Sequence, residues 1–213
     1  MILKISLEYI YDFDSELTKR YFVPQSYKDG MVVFVGNYRP LSRGDVRLAS
    51  RNVEDEPIIH HRYYENEQDL KAIVKGCKMV TQITETKIAR EKLDVRPFPN
   101  AVPGCEKYPP ASDAFFRCLA QTITVTSYHP VGTCKMGAQD DLMAVVDPQL
   151  RVRGISNLRV IDASIMPEIP TCNTNAPAIM IGEKGADIIR GRKLKPLLPP
   201  VANPKSALKY IDL

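Results

Sequence analysis

Two turn-rich stretches constrain this 213-residue sequence more than any other feature. The first, Tyr128–Gly137, reads Tyr-His-Pro-Val-Gly-Thr-Cys-Lys-Met-Gly and places a histidine directly before a proline. The second, Asn157–Pro167, follows it and runs on into Asn173–Pro177. Proline restricts the residue before it and glycine permits turns, so the first stretch predicts a turn that holds an imidazole in a fixed position.

His129 is the side chain of the first stretch that can carry chemistry. Pro130 biases its backbone toward an extended conformation, and Gly132 lets the chain turn close to whatever lies above it. Imidazoles titrate near neutral pH, so this side chain can accept a proton, as the oxidation of an alcohol requires. The local sequence fits a structural or merely exposed histidine as well.

Together the two stretches resemble the carboxyl-terminal half of the glucose-methanol-choline (GMC) oxidoreductases, flavoenzymes that use FAD to oxidise alcohols to carbonyls. The chain matches every position of the family's His-Pro-x-Gly-Thr-Cys-x-Met-Gly motif from His129 to Gly137. The resemblance implies that His129 is the active-site base and that hydride passes to flavin N5. It also implies that Asn173 hydrogen-bonds the substrate oxygen, since an amide cannot act as a base. Local sequence alone would make Asn173 an N-cap or turn residue.

The same resemblance implies cofactor contacts in the second stretch. Asp162 and Ala163 would touch the ribityl and pyrophosphate region of FAD. Asn175, Ala176 and Pro177 would lie at the start of a helix, where free N–H groups favour the negative charge of a reduced flavin. An aspartate that only caps a turn, and a helix start that only packs, are the alternatives.

The predicted fold class is α+β. By analogy with the family, residues 30–127 form a substrate-binding domain, an antiparallel sheet with covering helices. Residues 128–191 would be the returning segment of an FAD-binding α/β domain, contributing its carboxyl-terminal strand and helix. An amino-terminal segment, 1–29, and a Pro-rich extended tail, 192–213, complete the predicted organisation.

Short apolar runs predict three strands. Met31–Val35 is β-branched and apolar, and Asp45–Ala49 alternates polar and apolar residues, so the two predict an antiparallel pair around the turn at 39–44. Leu158–Ile161 predicts a buried strand whose end delivers Asp162 to the rim of a sheet.

Three helices are predicted from periodicity and capping residues. Apolar residues recur every 3.6 positions from Asn66 to Thr84, and a second helix is expected to begin near Ser112 or Asp113. A third runs from Ala176–Pro177 to a stop at Gly191. The five prolines within 94–110 exclude regular structure there.

The glycine positions bear on how FAD would be held. A dinucleotide phosphate loop needs Gly at i, i+2 and i+5, yet no two of the 11 glycines are separated by a single residue. We therefore expect the adenine-binding half to be missing, either because the sequence is a fragment of a longer protein or because it is a natural remnant. The isolated chain would then be inactive, and a remnant would act, if at all, as a non-catalytic binding module.

The composition limits the classes of molecule that the protein is expected to bind. A net charge of +4, without a basic stripe interleaved with aromatic residues, gives no support to nucleic-acid binding. No stretch approaches the roughly 20 apolar residues of a membrane span. The expected partner is a small alcohol or sugar. Localisation stays open, with an extracellular protein expected if an upstream signal peptide is missing.

The five cysteines show no metal-ligand spacing. Cys105 and Cys118 flank a Pro-rich bend, and insect glucose-dehydrogenase-like members of the family have a similar arrangement. The resemblance therefore implies a disulfide between them in an exported protein, with two partly buried thiols as the alternative.

Overall fold

The computed structural model describes residues 13–25, 28–98 and 100–192, which form two compact units. The first unit contains the described residues as far as Thr133 and the returning segment Glu168–Asn173. The second contains Cys134–Pro167 and the described residues from Thr174 onward. The predicted Pro-rich tail lies outside the described residues except for Arg192.

A short helix, α1 (Ser15–Leu17), opens the described part of the first unit. It continues into a π-helical turn at Thr18–Phe22 and a 3-10 turn at Val23–Gln25. The carboxylate of Asp14 starts α1 by accepting hydrogen bonds from the first backbone amides (2.9 and 3.0 Å). Phe98 packs on the turns that follow, 4.7 Å from the Tyr21 ring.

Helices α2 (Glu67–Thr84) and α3 (Asp113–Ile123) begin where the capping residues predict. Asn66 Oδ1 accepts a hydrogen bond from the amide two residues on (3.0 Å). Ser112 Oγ accepts one from the amide three residues on (3.1 Å). Such caps satisfy N–H groups that have no partner within the helix, so both predicted helix starts are confirmed.

The core of the first unit lies where α2 packs on α3. Leu70 and Ile73 on α2 and Ala120 on α3 form its buried cluster, and Val35 packs against them. A Cβ atom at Gly76 would collide with Cγ1 of Val35. Glycine at this position therefore lets the chain before α2 lie directly on the helix.

Asp69 anchors the turn that precedes α2. This carboxylate is only 4% exposed and accepts hydrogen bonds from the amides of Leu41 (2.8 Å) and Ser42 (2.7 Å), from Ser42 Oγ (2.5 Å) and from Asn37 Nδ2 (3.1 Å). Burial alone would raise the pKa of Asp69, but these hydrogen bonds outweigh it and hold the pKa below its ordinary range. The charged form thus fixes the path of residues 37–42.

The predicted pairing of Met31–Val35 with Asp45–Ala49 is wrong. Strand β1 (Asp45–Arg47) instead pairs antiparallel with β2 (Ile58–His60). The register places Asp45 opposite His60 and Arg47 opposite Ile58. Residues 31–35 form no strand, and most of their side chains are exposed.

One long-range interaction and one local turn accompany this pairing. The Asp69 carboxylate accepts hydrogen bonds from the amides of Leu41 and Ser42, so the predicted turn is held on α2 instead of closing a hairpin. On the other side of β1, Asn52 and Asp55 build a hydrogen-bonded turn (3.1 Å between Nδ2 and Oδ1) that returns the chain to β2.

The Pro-rich loop has the irregular path that the sequence predicts. No helix or strand occurs in 94–98 or 100–110, the parts of this loop that the structure describes. Cys105, only 1% exposed, is bonded to Cys118 on α3, with the two Cα atoms 5.8 Å apart. The implied disulfide is confirmed, and it ties the loop to the helix that leads toward His129.

The second unit is held by short backbone bridges. They join Met136 to Val146, Val146 to Val152 and Arg151 to Arg159. The predicted buried strand Leu158–Ile161 is wrong in length and burial: only Arg159 bridges, and Leu158 is 45% exposed. Among the described residues, Arg151 is the only partner that this segment finds for such a bridge.

Helix α4 (Asn175–Ile189) follows the prediction closely. It begins within two residues of the expected start and ends at Ile189, with Arg190 as its C-cap before Gly191 in the left-handed region (φ 64°). A Cβ atom at Gly185 would collide with Cγ2 of Ile161, so this glycine allows α4 to pack directly on the 158–161 segment. None of the described helices is both long and apolar enough to cross a membrane.

Two glycines of α4 provide a matched pair of substitutions. Gly185→Ala places a methyl group against Ile161, and we expect a loss of about 1–3 kcal/mol in the free energy of unfolding. Gly182→Ala meets no heavy atom within 4 Å, so it should raise stability by about 0.5–1 kcal/mol through helix propensity. Urea unfolding followed by circular dichroism measures both. Equal effects of the two variants would contradict the close packing of α4 on Ile161.

Asp69→Ala tests the anchored turn. We expect a loss of about 2–4 kcal/mol, because hydrogen bonds to a charged group contribute about 1.5–3 kcal/mol each and do not add fully. The exposed Asp140→Ala is the control, with a change within about 0.5 kcal/mol.

The pH dependence of the Asp69 effect has a fixed sign. Because the folded-state pKa is lowered, its contribution is present above the unfolded-state value of about 3.9 and is lost as pH falls through the folded-state pKa. The stability difference between wild type and Asp69→Ala should therefore narrow on acidification. A difference that stays constant from neutral to acidic pH would rule out an ionised anchor.

Candidate functional site

The segment that carries His129 is anchored at the end of α3. Thr124 is extended and its hydroxyl hydrogen-bonds both Ala120 O and the Tyr64 hydroxyl (2.6 Å for the latter). Tyr128, directly before His129, has φ 59°, a region that non-glycine residues rarely adopt. Its amide donates to Thr126 Oγ1 (3.1 Å). The histidine is thus held in a strained turn, half-buried.

The predicted glycine turn after His129 is also present. Gly132 has φ 89°, a conformation that side chains with a Cβ atom disfavour. Asn173, the second predicted catalytic residue, is exposed and ends the returning segment Glu168–Asn173 of the same unit. Both predicted catalytic residues, His129 and Asn173, therefore belong to the first unit.

Backbone hydrogen bonds join the second half of the histidine motif to the second stretch. The amide of Cys134 donates to Ser164 O (3.0 Å), and the amide of Met136 donates to Ile165 O (2.8 Å). Gly137 N donates to Val146 O (3.2 Å) on the other side. Cys134–Gly137, the second half of the motif, thus lies between two neighbouring segments of the second unit, and its path depends on both.

Asp162 shapes the turn that receives these hydrogen bonds. Its Oδ1 accepts from the amide of Ser164 (2.7 Å) and so caps a 3-10 turn at Ala163–Ile165. Hydrogen bonds from the side chain and amide of Ser164 hold the pKa of Asp162 below its ordinary range, which keeps the carboxylate charged. The alternative that Asp162 caps a turn is therefore confirmed. Asp162 is exposed and Ala163 half-buried, so the turn is also open to a ligand.

The start of α4 fits an electron-rich group. The side chain of Thr174, which precedes the helix, makes no capping hydrogen bond. Asn175 and Ala176 are exposed, and Pro177 is half-buried in the first turn. The first amides of a helix have no intrahelical partner and carry a partial positive charge, so this end can receive the negative charge of a flavin ring.

Arg153 is a positioning residue that the sequence patterns do not reveal. Its guanidinium donates to the carbonyl oxygens of Asp141 (2.9 Å), Gly137 (3.2 Å) and Ala138 (2.5 Å). Lys135 pairs with the Asp141 carboxylate in the same loop (2.8 Å). An arginine that binds main-chain carbonyls has no sequence signature, because its partners are not defined by residue type.

Comparison with known proteins gives a consistent set of relatives. Residues 40–182 match the family model described as GMC oxidoreductase. A glucose dehydrogenase (FAD, quinone) of Drosophila melanogaster is 40% identical over 158 residues, which are 74% of this chain and 25% of that protein. The mitochondrial choline dehydrogenase of Homo sapiens is 42% identical over 161 residues, 75% of this chain and 26% of that protein. The chain thus spans about a quarter of the length of the curated relatives it matches.

Two solved structures with a similar fold are oxidases. Pyridoxine 4-oxidase from Mesorbium loti superposes with a TM-score of 0.62 at 30% identity, covering 74% of this chain and 29% of that one. A formate oxidase of Aspergillus oryzae, studied for its FAD modification, gives a TM-score of 0.60 at 29% identity, covering 71% and 25%. Sequence and structure comparisons therefore agree on one family.

Substituting Asp162 tests how the turn supports the histidine motif. Asp162→Ala removes the acceptor of the Ser164 amide, so we expect a loss of about 1 kcal/mol and roughly fivefold faster hydrogen exchange at the Cys134 amide. Asp162→Asn retains a capping oxygen and should exchange like wild type. If exchange at Cys134 is unchanged in the alanine variant, the turn does not control the motif.

Proposed function

Because the chain belongs to the GMC oxidoreductase family, we propose that it serves in the FAD-dependent oxidation of CH–OH groups to carbonyls. The observation that carries the proposal is the pair of backbone hydrogen bonds from Cys134 and Met136 to Ser164 and Ile165. Within the second unit, these bonds hold Cys134–Gly137, the second half of the motif, beside the turn that Asp162 caps.

His129 is the proposed proton acceptor. Its imidazole removes the proton of the substrate hydroxyl, which makes the carbon-bound hydrogen a better hydride donor. Tyr128 in the left-handed region, and the hydrogen bonds that anchor Thr124, support this role because they restrict the imidazole before substrate binds. Restriction of this kind lowers the entropic part of the barrier.

Asn173 is the proposed partner of His129. Its side-chain amide donates a hydrogen bond to the substrate oxygen and stabilises the negative charge that develops as the proton leaves. The exposed position at the end of Glu168–Asn173 supports contact with a small molecule. Since the amide has no basic nitrogen, His129 is the sole base of the pair.

Cofactor contacts are proposed for the second unit. Asp162 and Ala163 would hold the ribityl and pyrophosphate region of FAD, and the helix start at Asn175, Ala176 and Pro177 would receive the charge of its ring. When bound, FAD supplies the hydride acceptor at N5. The exposed capped turn and the uncapped helix start support these contacts. In the 213 residues no Gly-x-Gly-x-x-Gly spacing occurs, so the adenine end would need contacts from elsewhere.

A small alcohol or sugar is the proposed substrate class. The relatives named as glucose dehydrogenase and choline dehydrogenase support this class without distinguishing its members. A non-catalytic binding module is the second candidate, and the missing glycine spacing favours it for the chain by itself. The two candidates differ in whether FAD and His129 are needed.

The test transfers residues 40–182 into the aligned region of the Drosophila melanogaster glucose dehydrogenase. We expect this hybrid to bind flavin and to reduce it in the presence of an alcohol. His129→Ala should lower kcat about 10²–10⁴-fold, the range that a general base contributes. His61→Ala, at an exposed position that stacks on Tyr63, is the control and should leave kcat unchanged.

Flavin absorbance separates failure of folding from failure of catalysis. Stoichiometric flavin with a large loss of kcat in His129→Ala supports the proposed base. Stoichiometric flavin with unchanged kcat in that variant refutes it. A hybrid that is folded by circular dichroism but colourless supports the binding-module alternative.

A further inference from the structure

A basic groove lies between α2 and α3 in the first unit, on residues that the proposed function does not use. It has a volume of about 350 Å³. Its lining is four basic side chains, one acidic side chain and one apolar floor residue: Lys71, Lys75, Lys78, Arg117, Asp113 and Val74. We call it the α2–α3 groove.

Two ion pairs set the walls of the groove. Arg117 on α3 binds the carboxylate of Glu67 on α2 through two nitrogens (2.6 and 2.9 Å). Lys78, in the second half of α2, pairs with Asp113 at the start of α3. These pairs join opposite ends of the two antiparallel helices across the groove.

The remaining lysines leave the groove with excess positive charge. Lys71 and Lys75 are one helical turn apart on the same face of α2, and both are exposed. Within the residues that the structure describes, neither takes part in an ion pair, although Lys71 helps to lower the pKa of Glu67. Like charges at this spacing repel, so an anion between them would relieve an unfavourable interaction.

The surroundings favour a compact anion. Val74 is 6% exposed and closes the bottom of the groove, so a ligand is held between the lysines rather than spread over a flat surface. The start of α3 adds the partial positive charge of a helix amino terminus, with Ser112 as its cap.

We propose that the α2–α3 groove binds a phosphate group of a small soluble molecule, with Lys71 and Lys75 as its principal contacts. Ammonium groups bind phosphate as point charges and need no fixed fork geometry. The concave shape favours a soluble phosphate over a lipid surface, whose headgroups would require the lysines to project from a flat or convex face. The site is separate from the assigned roles of His129 and Asn173.

The experiment uses the full chain and inorganic phosphate. Isothermal titration and thermal unfolding are measured while sodium phosphate replaces sodium chloride at constant ionic strength. A ligand that binds the folded state raises its stability by mass action, so phosphate should raise Tm more than chloride does. The double variant Lys71→Gln/Lys75→Gln should weaken phosphate binding at least about tenfold.

A second double variant controls for net charge. Lys19→Gln/Lys184→Gln removes the same charge from two exposed lysines on other elements and should bind phosphate like wild type. Glutamine and lysine have similar helix propensities, so circular dichroism should show all three proteins equally folded. Equal weakening in both double variants would mean that net charge alone attracts phosphate, which overturns the proposal.

Vesicles distinguish the two sources of phosphate. The chain is sedimented with vesicles of phosphatidylserine and, separately, of phosphatidylcholine. No sedimentation together with phosphate-dependent stabilisation supports a soluble ligand. Sedimentation with phosphatidylserine that is lost in Lys71→Gln/Lys75→Gln, without any response to inorganic phosphate, would overturn it in favour of a lipid surface. Absence of both responses also refutes the site.

Discussion

The hydrogen bonds from Cys134 and Met136 to Ser164 and Ile165 are the constraint on which the second unit depends. They bind a motif with little regular structure of its own to a 3-10 turn that Asp162 caps. Each partner is a main-chain group, so the arrangement does not require long strands. It requires that both segments keep their turns, and the cap that Asp162 provides holds one of them.

Close approaches at glycine set the distances between the helices and the irregular segments. Gly185 lets α4 lie on Ile161, and Gly76 lets Val35 lie on α2. In the first unit, helices α2 and α3 form the core, and the proposed chemistry of His129 is carried by the loop that follows α3. This division is common in enzymes, because a loop places a side chain where no regular element can present it.

Helices α2, α3 and α4 were predictable from the sequence because their signals are local. Asn66 and Ser112 hydrogen-bond amides within the next three residues, and the apolar stripe of α2 repeats at the helical period. The end of α4 at Gly191 is equally local, since only its own φ is involved. The Cys105–Cys118 bond was predictable only through family resemblance, because spacing alone left two free thiols as an alternative.

The sequence by itself determined helices α2, α3 and α4 and the residue types that can remove a proton or cap a turn, because each depends on neighbours within a few positions. The tertiary structure decided which segments pair. The sequence of an apolar run such as Met31–Val35 does not specify which segment it pairs with. The buried Asp69 carboxylate hydrogen-bonds the turn that would have closed the predicted hairpin and holds it on α2. The backbone linkage of Cys134 to Ser164 was likewise decided by folding, because main-chain hydrogen bonds are independent of side-chain identity.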